Sequence, residues 1–174
     1  MNIADYKKFD VINGRGLRHS IFTSGCQHHC KGCFNPLTWS FNYGTPYTQA
    51  FEDQVIRDLN IDYVRISGLS ILGGEPFQNV AGLLNLVKRI KHECMDKDIW
   101  VWSGYTFEEI IQDPSRLELL SYCDVLIDGP FILEQRNLKL EWRGSENQRV
   151  LDVQESLLNG QAVHCLPFSE TVFV

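Results

Sequence analysis

Three cysteines, Cys26, Cys30 and Cys33, fall within eight consecutive positions of the stretch TSGCQHHCKGCFNP, residues 23–36. Thiolates spaced as CxxxCxxC have two common uses. They can hold zinc, with His28 or His29 as a fourth ligand, or an iron–sulfur cluster in which one iron keeps an open position. A structural zinc site usually draws its other ligands from a second knuckle, and no second paired Cys or His motif occurs in the chain. An open iron is chemically useful, because a cofactor can bind the metal directly and receive an electron from it. Neither histidine is assigned as an iron ligand, since either can instead hydrogen-bond a sulfide or the backbone. Cys94, Cys123 and Cys165 are scattered and read as buried thiols that pack as small hydrophobes.

Other residues could serve a ligand beside such a centre. Gly73 and Gly74 let the backbone approach a bound molecule that a Cβ would block, and a larger residue at 74 is expected to exclude that ligand without disturbing the cysteines. Glu75, or the carbonyls of its turn, can accept from an ammonium group. Ser103 belongs to a similar loop, Ser103-Gly104-Tyr105. Asp128 closes an apolar run, where a carboxylate could accept from ribose hydroxyls or bind a cation. The segment WRGSENQR concentrates Arg143, Asn147, Gln148 and Arg149, a donor set suited to a partner's loop or to a ligand carboxylate. GRGLRH, residues 14–19, lacks the third glycine of a dinucleotide fingerprint and precedes a strand.

Positioning these residues requires a scaffold, and the hydrophobic pattern supplies one. After a polar leader, Leu17 to Thr23 reads as a strand that runs into the cysteine loop. Residues 48–59 repeat apolar side chains at helical period behind a capping Thr. GLSILGGEP reads as strand and turn, and NVAGLLNLVKRIKHEC as a helix behind an Asn cap. DIWVWSGY, TFEEIIQ, SRLELLSYC and DVLIDGPF continue the alternation. The remainder is expected to form an edge strand, a short helix and a terminal arm reaching Val174. Strands alternating with helices imply an α/β fold, a mostly parallel sheet with flanking helices, whose chemistry gathers at the strand C-termini. All four candidate loops fall on that edge.

The chain has 174 residues, a length that suits one domain over 1–174. With 44% hydrophobic and 22% charged residues it has ordinary globular composition. No uncharged run is long enough for a membrane span, and the charged start does not resemble an export signal, so a cytoplasmic location and no membrane partner are expected. A net charge of −6 without a basic patch argues against nucleic acid.

CxxxCxxC after a first strand, followed by GGEP after the next, resembles the radical S-adenosylmethionine superfamily. The stretches VINGRGLRHSIFTSGCQHHCKGCFNPLTW, WVWSGY, DVLIDGPF and WRGSENQR resemble its glycyl-radical-enzyme activases, in particular the activating proteins of anaerobic ribonucleoside-triphosphate reductase, over about residues 10 to 150. The resemblance implies an incomplete (β/α) barrel of the radical SAM type and one [4Fe-4S] cluster on Cys26, Cys30 and Cys33. The open iron would be chelated by S-adenosylmethionine, whose reductive cleavage yields a 5'-deoxyadenosyl radical. That radical would abstract a glycine hydrogen from the large subunit of the reductase, with the electron coming from a donor such as flavodoxin. Gly32, Cys33 and Phe34 would lie by the adenine, with Phe34 or Tyr105 as stacking partner. Gly73, Gly74, Glu75, Ser103 and Asp128 would complete the cofactor site, and Arg143 or Arg149 would contact the reductase. Two rival readings are an activase of another glycyl-radical enzyme, such as pyruvate formate-lyase, and a zinc-stabilised, non-catalytic interaction module.

The spacing generates a direct test. Among the six single Cys→Ala variants, those at 26, 30 and 33 are expected to lose iron and sulfide after anaerobic reconstitution, while those at 94, 123 and 165 keep both. Near-full iron in Cys30→Ala would overturn the assignment.

Overall fold

A computed structural model of the chain describes residues 1–165. Seven strands form one open sheet: β1 (Asn2–Asp10), β2 (Arg18–Thr23), β3 (Thr45–Pro46), β4 (Gly68–Gly73), β5 (Asp98–Trp102), β6 (Val125–Asp128) and β7 (Arg149–Asp152), in the order β3-β1-β2-β4-β5-β6-β7. The inner run β2-β4-β5-β6 is parallel. β1 and β7 flank it antiparallel, and β3 adds a short antiparallel edge to β1. The helices are α1 (Gln49–Leu59), α2 (Val80–Glu93), α3 (Phe107–Ile110), α4 (Pro114–Ser121) and α5 (Val153–Asn159). The fold is therefore mixed α/β, with the parallel core and flanking helices that the alternation implies.

Local chemistry explains most boundaries. The Thr48 hydroxyl accepts from the Phe51 amide to start α1, Thr106 and Glu109 form a capping box on α3, and the Asp113 side chain caps α4 ahead of Pro114. Asn79 precedes α2 as expected but does not cap it. Its amide donates instead to the carbonyls of Ser24 and Glu75, both at 3.0 Å, tying the helix entry to the loops at the sheet edge. Most of the polar leader, to which the hydrophobic pattern assigns no element, is strand β1. Its Lys7 and Lys8 leave little apolar periodicity to read, and its order comes from pairing with β2 and from Tyr6 packing on Phe51 and His19. The expected edge strand and short helix are β7 and α5, and the end of the expected arm, beyond residue 165, lies outside the described residues.

Alternation along the strands separates two faces. Ile21, Leu69, Ile71, Ile99, Val101 and Leu126 pack with the apolar sides of the helices in the main core. The opposite face carries Trp100, Val125 and Ile127, packed with Trp102, Trp142 and Val150. The N-terminal end of that second face is closed by a buried arginine. Arg18, 0% exposed, donates to Ser70 Oγ at 2.8 Å, the Leu69 carbonyl at 2.9 Å and Asp98 at 2.5 Å, and its guanidinium lies 5.1 Å from the Trp100 ring centroid. Burial pulls the Arg18 pKa down, opposed by Asp98.

Removing one partner of such a pair leaves an uncompensated charge. Asp98→Ala is expected to destabilise the fold by about 2 kcal/mol in urea unfolding, less than for a fully dry pair because Asp98 is partly solvated. A loss under about 0.5 kcal/mol would show that water reaches the guanidinium.

Candidate functional site

The loops that leave the C-terminal ends of β2, β4, β5 and β6 meet around one cavity of about 690 Å³. Cys26, Cys30, Cys33, Phe34, Gly73, Gly74, Glu75 and Ser103 all line it. Phe22, Leu72 and Trp102, from the second sheet face, are also in its wall, and Ile12 and Leu138 join them from flanking segments. Two expected site residues, Gly32 and Asp128, are not among its lining. Gly32 has φ +75 and backs onto the Leu133 side chain. Phe34 faces the cavity beside Phe131, ring centroids 5.0 Å apart. Tyr105 does not line it, being held under the Arg116 guanidinium at 3.9 Å and hydrogen-bonded to Gln78.

The cysteine loop is short of regular structure because it is built around its sulfurs. Burial pushes the Cys26 and Cys30 thiols up, while backbone amides pull the other way: those of His28 and His29 toward Cys26, and that of Phe131 toward Cys30. The Asn35 amide donates to Cys33 Sγ at 3.4 Å. Amide donors converging on sulfur favour thiolates, the ligand form of cysteine. Among the described residues, no three His, Cys, Asp or Glu side chains converge tightly enough for one metal ion. A four-iron cluster spreads its thiolates over separate irons, so cysteines lining a wider cavity suit a cluster better than an ion. Burial also raises the Cys94 and Cys123 thiols and lifts Cys165 to about 11.

Glu75 fixes how the loops meet. Its carboxylate is 1% exposed and accepts four hydrogen bonds: from Ser103 Oγ at 2.9 Å and the Phe77 amide at 3.0 Å on one oxygen, and from His28 Nε2 at 2.9 Å and the Gly104 amide at 2.7 Å on the other. His28 thus belongs to the scaffold, with its ring edge-on to Tyr105. The Glu75 oxygens are spent on the protein, and Ser103 is engaged with them.

The glycines beside Glu75 have a second constraint. Gly73 adopts φ +105, and a Cβ there would meet the backbone of Phe22 and Thr23 at 2.7–2.8 Å. A Cβ on Gly74 would lie 2.6 Å from the Gly25 carbonyl oxygen, and the Glu75 amide donates to that same oxygen at 2.8 Å. The turn therefore lies backbone to backbone on the cysteine loop. This corrects the expectation that a larger residue at 74 would disturb a ligand alone.

Asp128 also departs from expectation. It is fully buried on the helix side of the sheet, accepts from the Phe107 amide at 2.7 Å and pairs with Arg149 through both oxygens at 2.9 and 2.5 Å. Arg149 further pairs with Glu108, and the two carboxylates raise its pKa. Arg149 is accordingly engaged within the protein by two carboxylates. Asn147 and Gln148 bind the carbonyls of Pro130 and Gly129, so most of WRGSENQR braces a loop. Arg143 differs. It lines the cavity, donates from Nη1 to the Gln148 carbonyl at 3.0 Å, leaves a buried Nε without a partner and forms no ion pair among the described residues. Trp39, which the sequence reading passed over, also lines the cavity. Its signal was a lone aromatic six residues after the last clustered cysteine.

A sheet edge that gathers three cysteines in one cavity defines an iron–sulfur domain. The sequence profile of the 4Fe-4S single cluster domain family matches residues 12–151, most of the chain, so the chain belongs to that family. It is 51% identical over 150 residues to the anaerobic ribonucleoside-triphosphate reductase-activating protein of Vibrio cholerae, covering 85% of this chain and 96% of that one. It is 45% identical over 152 residues to the protein of that name from Escherichia coli K12, covering 86% and 97%. The counterpart from Enterobacteria phage T4 is 41% identical over 145 residues, covering 81% and 87%. Within the 4Fe-4S domains, the chain is a member of the anaerobic ribonucleoside-triphosphate reductase-activating protein family.

The packing of turn on loop generates the next test. Gly74→Ala is expected to lower the iron-to-protein ratio after reconstitution, because the added methyl displaces the Gly25 backbone. Full iron content would mean that the cysteine loop moves freely against the turn.

Proposed function

We propose that this protein is a radical S-adenosylmethionine activase, with the incomplete barrel that this class implies, which installs a glycyl radical on an anaerobic ribonucleoside-triphosphate reductase. The observation that carries the reading is the cavity itself, where three amide-supported cysteines face a glycine turn large enough in outlook to take a cofactor beside a cluster. Support comes also from relatives at 41–51% identity that bear the name of such an activator. Bound to Cys26, Cys30 and Cys33, the cluster would supply one electron to the sulfonium of S-adenosylmethionine, and the adenosyl radical so released would take hydrogen from a glycine of the reductase.

The chain's own residues bind, orient and exclude water. With the Glu75 oxygens occupied, the acceptors for the cofactor's ammonium are assigned to the carbonyls of Gly73 and Gly74. Arg143 is assigned to its carboxylate, because a guanidinium without an ion pair in a cavity suits a charge-assisted contact. Phe34 follows the third cysteine and lines the cavity, and is assigned to the adenine. Phe22, Leu72 and Trp102 form an apolar floor that keeps water from a reactive species. At the rim, Ile12, Phe34 and Leu138 expose 77%, 61% and 74% of their surface, a character suited to receiving a polypeptide loop. The electron donor, a flavodoxin in this reading, would approach from outside that mouth.

The reading is tested by mixing the anaerobically reconstituted protein with reductant, S-adenosylmethionine and the reductase. A glycyl-radical resonance is expected by electron paramagnetic resonance, and its absence with a loaded cluster would reject the function. Arg143→Ala is expected to weaken S-adenosylmethionine binding roughly tenfold or more, about 1.5–3 kcal/mol, with iron content unchanged. Unchanged cofactor affinity with a weakened reductase complex would instead return Arg143 to the interface.

A further inference from the structure

Four buried side-chain polar atoms lack a hydrogen-bond partner among the described residues: Ser24 Oγ, Trp39 Nε1, Arg143 Nε and Asn147 Oδ1. Trp39 and Arg143 line the cavity, and only Arg143 has been given a role. The indole N–H can donate but cannot accept, so a buried, unpartnered one stands where an acceptor is wanted.

The place of Trp39 narrows the choice of acceptor. The segment from Cys33 to Trp39 folds back onto the first cysteine. The Asn35 amide donates to Cys33 Sγ, and both the amide and hydroxyl of Thr38 donate to the Asn35 carbonyl at 3.1 and 2.7 Å. The Gly25 and Cys26 amides then donate to the carbonyls of Thr38 and Trp39 at 2.8 and 3.1 Å. The indole also rests edge-on against His29, ring centroids 4.8 Å apart. Trp39 is therefore framed by the cysteine loop and has no hydrogen bond to the GGEP turn assigned to the cofactor. No cysteine sulfur accepts its N–H either. A sulfide of a cluster held by Cys26, Cys30 and Cys33 would be an acceptor in this part of the cavity.

We propose that Trp39 Nε1 donates a hydrogen bond to a sulfide of the cluster, as a positioning residue that sets the cluster's reduction potential. The inference rests on the cluster assignment above. Reduction adds negative charge to the sulfides, so a donor there stabilises the reduced form and raises the potential. Replacing the indole by a ring without N–H removes that term while keeping the edge contact with His29.

The test compares the wild-type holoprotein with Trp39→Phe, both reconstituted anaerobically and both without S-adenosylmethionine. Iron and sulfide content is measured first. If the wild type itself takes up neither, the cluster assignment has failed and the inference falls with it. With clusters loaded, the variant is expected to titrate at a more negative potential, so that several-fold less cluster is reduced at one fixed poise. Pulsed electron paramagnetic resonance in H₂O and D₂O is expected to show one exchangeable-proton coupling fewer. Unchanged potential and couplings would overturn the proposal. So would weakened cofactor binding with the cofactor-free potential unaltered, since the N–H would then serve the cofactor. Should Trp39→Phe fail to hold iron, incorporation of benzothienylalanine at 39, which keeps the bicyclic shape and lacks the N–H, carries the same comparison.

Discussion

One buried carboxylate sets the relation of three of the four loops at the sheet edge. Glu75 holds its charge out of water only because four donors from three loops supply what water would, two of them backbone amides whose positions follow the strands. An ionised group without those donors would carry a large desolvation cost, so the arrangement is all or none: the cysteine loop through His28, the turn through Phe77, and the loop after β5 through Ser103 and Gly104 fit together or leave a charge stranded. Parallel strands deliver their loops to one edge but do not lock them to each other. Glu75 does so, at the cost of its own freedom to bind a ligand.

Close backbone approach completes what the carboxylate begins. The Gly74 and Glu75 amides donate to the carbonyls of Thr23 and Gly25 at 2.7 and 2.8 Å, two hydrogen bonds with no side chain between them, and the Asn79 side-chain amide adds a third to the Ser24 carbonyl. Glycine at 73 and 74 is needed for that contact. The consequence for chemistry is that whatever the turn and the cysteines were to hold would sit in one rigid frame. Relative motion between them, which would weaken any electron or group transfer, is resisted by the scaffold.

The two faces of the sheet divide the labour. The helix side buries the main apolar core, while the second face is polar at its base, where Arg18 meets Asp98, and open at its top, where Phe22, Leu72 and Trp102 floor the cavity. Among the described residues, no helix is long and apolar enough to cross a membrane.

What the sequence determined by itself was whatever is local. The cysteine spacing, the glycine turn, the cap on Thr48 and the alternation of strands with helices act over a few residues, so they were legible without neighbours. β1 was not, because its polar residues carry no periodicity and its strand form comes from pairing across to β2. Asp128 shows the limit most clearly. In Val125-Leu126-Ile127-Asp128 every preceding residue is apolar, so the pattern cannot say which parity faces which side of the sheet; only the tertiary structure puts Val125 and Ile127 on the face with Trp100 and Leu126 and Asp128 among the helices. A strand reverses its side chains at every residue, and the same carboxylate becomes a ligand or an ion-pair partner for Arg149 depending on which side is covered. The donors on Glu75, the freedom of Arg143 and the bare N–H of Trp39 were likewise decided by groups distant in the chain, which meet only once the sheet has brought its loops together.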